Sequence, residues 1–283
     1  MSKKQWVKIG VLALALGFAP AYDGAGQVSA AAVNAENDAA MAAAYYEEGQ
    51  IMLQRRDFER AMESFDQALK LDNTNADIFA ARANLYYIIG NQQIRRALQQ
   101  GKLTDSMRGP FVQSMRDYTS AIQLENDNVS FYQARGIVFR VLGEYDKALS
   151  DFNKVIQAQP NNFSIYDRRA ECYADMADYP KALADLDKAL KINPKDRLNA
   201  YFRGVIFARQ GKYNEALEKF DEASKISKWF AEPWLMKGII YEQLGKTNDA
   251  IYAYGEFIAR DKVQSRATSA FVNERLEVLS KAK

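Results

Sequence analysis

The chain has 283 residues, 48% hydrophobic and 26% charged, with 15 glycines and 6 prolines, a composition that excludes a disordered or low-complexity protein. It contains no histidine and one cysteine, Cys172, so no Ser/His/Asp or Cys/His nucleophilic system, no histidine or multi-cysteine metal site and no internal disulfide is available. A formal net charge of +2 gives no general attraction to nucleic acid.

The chain opens with a basic start, Lys3, Lys4 and Lys8, followed by an almost unbroken apolar run from Ile9 to Ala21 and small residues to Ala32. That is the layout of a secretory signal peptide over residues 1–30, with candidate cleavage points at Ala19-Pro20-Ala21 and Val28-Ser29-Ala30, the second preferred. The competing reading, an uncleaved anchor, suffers from length: the apolar run rises about 20 Å as a helix against a hydrocarbon core of roughly 30 Å. Removing residues 1–30 takes away three lysines and Asp23, leaving 35 cations against 35 anions. The expected product is exported, with the bacterial periplasm preferred over the medium or the envelope surface, and no membrane insertion after cleavage. An Ala-rich segment, 31–41, leads into the body.

The body repeats itself. Gly136, Ala170, Gly204 and Gly238 are 34 residues apart, and so are Ala148, Ala182, Ala216 and Ala250. The same period carries Gly143, Ala177, Gly211 and Gly245, and again Phe152, Leu186, Phe220 and Tyr254. Within one unit, Phe131 to Leu142 has helical periodicity, Gly143-Glu144 breaks it, and Tyr145 to Ala158 forms a second helix ahead of Pro160. Each unit is therefore a helical hairpin. The small columns let two backbones approach, the aromatic columns fill the space beside them, and Gly143 permits the turn. Cys172, between Ala170 and Tyr173 on a predicted helix, reads as a small buried filler rather than a nucleophile.

A 34-residue hairpin carrying Tyr132, Gly136, Phe139, Ala148, Phe152 and Pro160 resembles a tetratricopeptide repeat (TPR). The resemblance covers residues 42–264 in six units: 42–75, 76–128, 129–162, 163–196, 197–230 and 231–264. It implies an all-α, right-handed superhelical solenoid, with the first helix of each hairpin lining a concave groove. Ala267 to Leu279 is amphipathic and reads as a C-terminal capping helix within residues 265–283.

Two features depart from the family pattern. The second unit carries 19 extra residues, roughly Asn91 to Gly109, with Arg95, Arg96, Lys102 and Arg108 set against Asp105. Ile94, Ala97 and Leu98 there suggest extension of the first helix, and Gly109-Pro110 a fresh helix start. The second departure is a cation column, Arg82, Arg135, Arg169, Arg203 and Lys237, where the family commonly has leucine. Long stems packed on the neighbouring hairpin, with heads reaching Asp151, Asp185 or Asp187, explain it better than a ligand surface does.

The groove stripe follows from spacing. Leu198, Tyr201, Phe202 and Val205 form a second apolar face on the first helix of unit five, and Leu235, Met236 and Ile239 repeat it in unit six. Such a helix is either buried twice or exposes a patch. Unit four instead places Asp167, Arg168, Glu171 and Asp175 there. These residues are the expected partner-binding surface, suited to an amphipathic peptide or protein, unless the terminal helix folds back over its apolar part. A chaperone carboxylate clamp is disfavoured: Asn84 and Arg168 have the right chemistry, but Ala134 and Ser164 stand where the pattern needs Asn and Lys. Asp167, Glu171 and Asp175, at i, i+4 and i+8, invite a cation or acid–base reading, but solvated groove charge is preferred. With no Gly-rich phosphate loop, no cofactor and no enzyme is expected. The expected function is an extracytoplasmic scaffold or adaptor. Alternatives are a holdase for unfolded segments and a regulatory subunit forming a homo-oligomer through Trp229, Phe230 and Trp234.

Overall fold

A computed structural model describes residues 30–100, 105–261 and 266–281. The signal peptide expected at 1–30 lies outside the described residues except for Ala30. Among the described residues there are helices and no strands: α1 Ala30–Gln54, α2 Phe58–Leu71, α3 Ala76–Gln100, α4 Gly109–Leu124, α5 Val129–Val141, α6 Tyr145–Ala158, α7 Phe163–Asp175, α8 Tyr179–Ile192, α9 Arg197–Arg209, α10 Tyr213–Ile226, α11 Glu232–Gln243, α12 Thr247–Arg260 and α13 Arg266–Lys281. A short 3-10 turn, Asp105–Arg108, precedes α4. The protein is an all-α helical repeat solenoid. No described helix is long and apolar enough to cross a membrane.

Local chemistry sets the helix limits. Asp57, Asn128, Asp178 and Asp196 cap α2, α5, α8 and α9, their side chains accepting from Arg60, Ser130, Lys181 and Leu198 backbone N–H groups. α6 and α8 end at Ala158 and Ile192, two residues before Pro160 and Pro194. The tight turns inside the hairpins require a left-handed residue: Gly143 (φ 76°), Gly211 (φ 73°) and Gly245 (φ 69°) supply it freely. Arg56 and Ala177 stand in the same column and take φ 60° despite their Cβ atoms.

The chain divides into two compact units. The first comprises residues up to Ile89 together with Gln113–Asp127. In it α1 packs on α2, burying Ala42, Ala61, Phe65, Ala68 and Leu69 against Ile78, Ala81 and Leu85 of α3. The expected boundary at 41/42 is not a break: α1 runs through it. The second unit comprises Gly90–Val112 and residues from Asn128 onward. Its hairpins α5/α6, α7/α8, α9/α10 and α11/α12 each pack internally, and the second helix of one meets the first helix of the next. In the second repeat the chain does not turn at the usual place. α3 continues to Gln100, so the extension suggested at Ile94, Ala97 and Leu98 is helical, and a new helix starts at Gly109-Pro110.

Packing inside the hairpins follows one rule. Gly49, Gly90, Gly136, Gly204 and Gly238 each lie beneath a ring: Phe65, Phe111, Phe152, Phe220 and Tyr254 respectively. A Cβ on Gly136 would fall 2.6 Å from Phe152, closer than any relaxed contact. The fourth repeat solves the same problem with a smaller pair, Ala170 and Leu186, both buried.

The cation column is structural, as the stem-and-carboxylate reading expects. Arg82 forks onto Asp117 at 2.7 and 2.9 Å and reaches Asp66 at 2.7 Å. Arg135 forks onto Asp151 at 2.9 and 2.8 Å, and Arg169 onto Asp185 at 2.7 and 2.6 Å. The carboxylate 16 residues on becomes Lys219 and Ala253 in the last two repeats, and there Arg203 and Lys237 turn back 16 residues to Asp187 and Asp221. The guanidinium heads also lie over aromatic faces, Arg135 between Tyr132 and Phe139, Arg169 between Tyr166 and Tyr173. Each head ties a first helix to a second helix of its own or the preceding hairpin.

Candidate functional site

First helices of successive hairpins, α5, α7, α9 and α11, neighbour one another and form a continuous face within the second unit. A cleft of about 240 Å³ opens between α7 and α9 on that face. Its apolar wall is Ala170 and Ala174 of α7 with Tyr201, Phe202, Val205 and Ile206 of α9; its polar wall is Arg140, Glu171, Asp175 and Arg209.

The polar wall is a chain of alternating charge. Arg140, in the last turn of α5, reaches Glu171 at 2.7 Å and Asp175 at 2.7 Å. Arg209, in the last turn of α9, reaches the other Asp175 oxygen at 3.0 Å and donates to the Ala174 carbonyl at 3.0 Å. Arg168 completes the chain with Glu171 at 3.1 Å. Both cleft arginines sit near helix C-termini, where the backbone dipole favours a cation. Burial pushes the Glu171 carboxyl above its usual range, against the pull of Arg140 and Arg168. Small residues at 170 and 174 keep the cleft open; the same columns hold Gly136 and Arg140 one repeat earlier.

Of the expected surface residues, Glu171, Tyr201, Phe202 and Val205 line this cleft together. Leu198 and Tyr201 pack around Ala200, Ala223 and Phe230, while Val205 and Met236 pack around Ala216, Phe220 and Ile240. Phe202 also packs on the Ala170, Leu186 and Ile206 cluster. Leu235 and Ile239 lie against a cluster that also contains Val272 of α13. The apolar stripe is thus half-buried throughout, and what it opens to is the α7/α9 cleft. Arg168 is 42% exposed and stands at the rim. Asp167 is buried, 4% exposed, and meets Asp196 rather than the cleft.

Asp167, Glu171 and Asp175 share a helical face but separate chemically, to Asp196, to Arg140 and Arg168, and to Arg140 and Arg209. Among the described residues no three acidic or sulfur side chains gather in a way that could hold a metal ion. Cys172 is fully buried, its thiol donating weakly to the Tyr145 carbonyl at 3.7 Å, and burial raises its pKa to about 11. Arg140 was not legible as a site residue, because it shares the column of Ala174, outside the stripe; Arg209 stands in the column of Asp175 but beyond the apolar residues by which the stripe of its own helix is recognised. The signal for them was a pair of arginines flanking an acidic first helix 34 residues to either side of Asp175 or close to it.

Residues 42–90 match a family described as TPR repeat, and residues 134–236 match one described as the TT21 fifth ARM repeats domain. The chain is therefore similar to tetratricopeptide-repeat proteins, by sequence over residues 42–90. Among solved structures, PilW, described as a widely conserved type IV pilus biogenesis factor, is 16% identical over 82% of this chain and 98% of its own, with a TM-score of 0.62. PilF of Pseudomonas aeruginosa is 17% identical over 84% of this chain and 99% of its own, with a TM-score of 0.55. MamA is 17% identical over 68% of this chain and 94% of its own, with a TM-score of 0.53. At this identity the likeness is one of fold. No curated protein matches this chain.

Proposed function

We propose that this TPR protein is an interaction scaffold or adaptor that holds an extended or helical segment of a protein partner across the α7/α9 cleft. The observation that carries the reading is the cleft itself, an apolar wall of Tyr201, Phe202 and Val205 facing a charged wall of Arg140, Glu171, Asp175 and Arg209. Apolar contact supplies the attraction, and the charged wall fixes orientation by exchanging its internal pairs for bonds to the partner. A site of this volume takes one or two side chains of a partner, not a folded domain. The basic and apolar leader at residues 1–30 supports an extracytoplasmic place of action, preferentially periplasmic.

The test is site-specific photo-crosslinking in cells, with the crosslinker at Phe202 or Val205 and a control at Tyr252, which is 62% exposed on a second helix. The expected result is a discrete adduct from the cleft positions, lost when Arg209→Glu is added to a chain that stays folded by circular dichroism. Adducts from Tyr252 alone would overturn the cleft as the site. A smear of many adducts, with suppression of aggregation of unrelated proteins, would replace the adaptor by a holdase.

A further inference from the structure

Asp167 on α7 and Asp196, the N-cap of α9, touch side chain to side chain where the fourth hairpin meets the fifth. They are 4% and 9% exposed. Asp196 Oδ1 accepts from the Leu198 backbone N–H at 3.0 Å, but its Oδ2 and the Oδ1 of Asp167 have no hydrogen-bond partner. The nearby cations are committed elsewhere: Arg168 to Glu171, Arg169 to Asp185 and Asn153, Arg203 to Asn199 and Asp187, and Arg197 over the Phe230 ring. The charged groups acting on Asp167 are Asp196 from the turn before α9, and Glu171 and Arg168 from its own helix. The repeat shows that this pairing is particular to one junction. The same two columns hold Gln133 and Asn162 one repeat earlier, and Tyr201 and Phe230, with rings 5.3 Å apart, one repeat later.

Two buried carboxyls in contact, with Arg168 near Asp167 but bonded to Glu171, resist ionising together: like charge and desolvation disfavour the second negative charge. We propose that Asp167 and Asp196 share one proton and act as a pH-responsive latch between the fourth and fifth hairpins. With the proton in place, the acid of one donates to the carboxylate of the other and α7 is tied to the start of α9. When it leaves, two anions face each other in a buried joint, and the joint loosens. Burial first, then the hydrogen bond and charge of Asp196, raises the Asp167 pKa to about 8. A carboxyl raised in the folded state stabilises fully below its unfolded pKa of about 4, and that contribution is lost as pH rises toward the folded value. α7 and α9 are also the two walls of the cleft, so the latch sets their spacing whether or not a partner occupies it.

The experiment is hydrogen exchange of backbone amides around Leu198, corrected for intrinsic base catalysis, from about pH 5 to about pH 9 on the whole mature chain. In the wild type the local opening constant should rise by up to about tenfold per pH unit between the unfolded and folded pKa values. Asp196→Asn, which keeps an N-cap acceptor, and separately Asp167→Asn, should each flatten that rise while leaving exchange in α5 and α6 unchanged. Carboxyl carbon shifts supply a second readout: in wild type the Asp167 carboxyl should titrate well above the carboxylate range. A flat wild-type profile with Asp167 titrating in the ordinary range would overturn the latch. So would protection at about pH 9 by added calcium chloride that both variants abolish, since the pair would then be a cation site. Neither result bears on partner crosslinking at Phe202, so the latch and the cleft fail separately.

Discussion

Phe152 lies across Gly136 so closely that a Cβ on residue 136 would sit 2.6 Å from its ring. The contact explains why the glycine column exists at all, since a glycine in mid-helix otherwise lowers stability. The fourth repeat shows the compensating solution, Ala170 with Leu186 in place of the ring.

Gly136→Ala should therefore destabilise by about 1–3 kcal/mol through overpacking, even though alanine is the better helix former. Phe152→Leu alone should destabilise too, by loss of buried ring. The double variant should recover part of the combined loss, measured as a negative coupling in urea unfolding. Simple additivity of the two changes would show that residues 136 and 152 do not limit each other.

Ala177 occupies the left-handed turn position that glycine fills at 143, 211 and 245. A left-handed alanine costs about 1–2 kcal/mol, partly offset by the entropy glycine brings to the unfolded chain. Ala177→Gly should raise the midpoint of thermal unfolding, by a net stabilisation of about 0.5–1 kcal/mol. A lower midpoint would mean the turn is held by contacts the glycine removes.

Arg169 and Asp185 form a half-buried fork, with the carboxylate side chain 8% exposed. Arg169→Leu leaves that carboxylate buried without its cation and should destabilise by about 3–5 kcal/mol. Arg169→Leu with Asp185→Leu should restore much of the loss, because an apolar pair of similar size meets no such desolvation. Partner crosslinking at Phe202 should change less than stability does. If the single variant is fully stable but loses its partner, the ladder is a ligand surface after all.

The repeat, the hairpins and the cation ladder were legible because each is written in a column: a glycine, an alanine or an arginine recurring from repeat to repeat reports one packing constraint four or five times over. The cleft was half legible for the opposite reason. Tyr201, Phe202 and Val205 announce an apolar face, but spacing along one helix does not say how much of that face the next hairpin covers; Leu198 and Met236 pack beside Tyr201 and Val205 without lining the cleft. Arg140 and Asp175 act through a pairing 35 residues apart across two hairpins, and the Asp167–Asp196 contact crosses a turn between them; neither has a periodic signal.

Val272 on α13 is fully buried against Ala231, Ala250, Tyr254 and Phe257, with Leu276 and Leu279 beside it at helical spacing. Leu235 and Ile239 pack against the same cluster from α11 and stay half-buried. The opposite face of α13 carries Phe271 and Val278, 43% and 46% exposed, and makes no comparable contact. Val272→Asp places an uncompensated charge in the cluster and should detach the helix, with about 3 kcal/mol or more of lost stability and new binding of an apolar dye. Phe271→Asp, one residue away on the exposed face, should change neither by more than about 0.5 kcal/mol. Equal effects from the two substitutions would show that α13 is not docked through its Val272 face, and Leu235 and Ile239 would then return as candidates for partner contact.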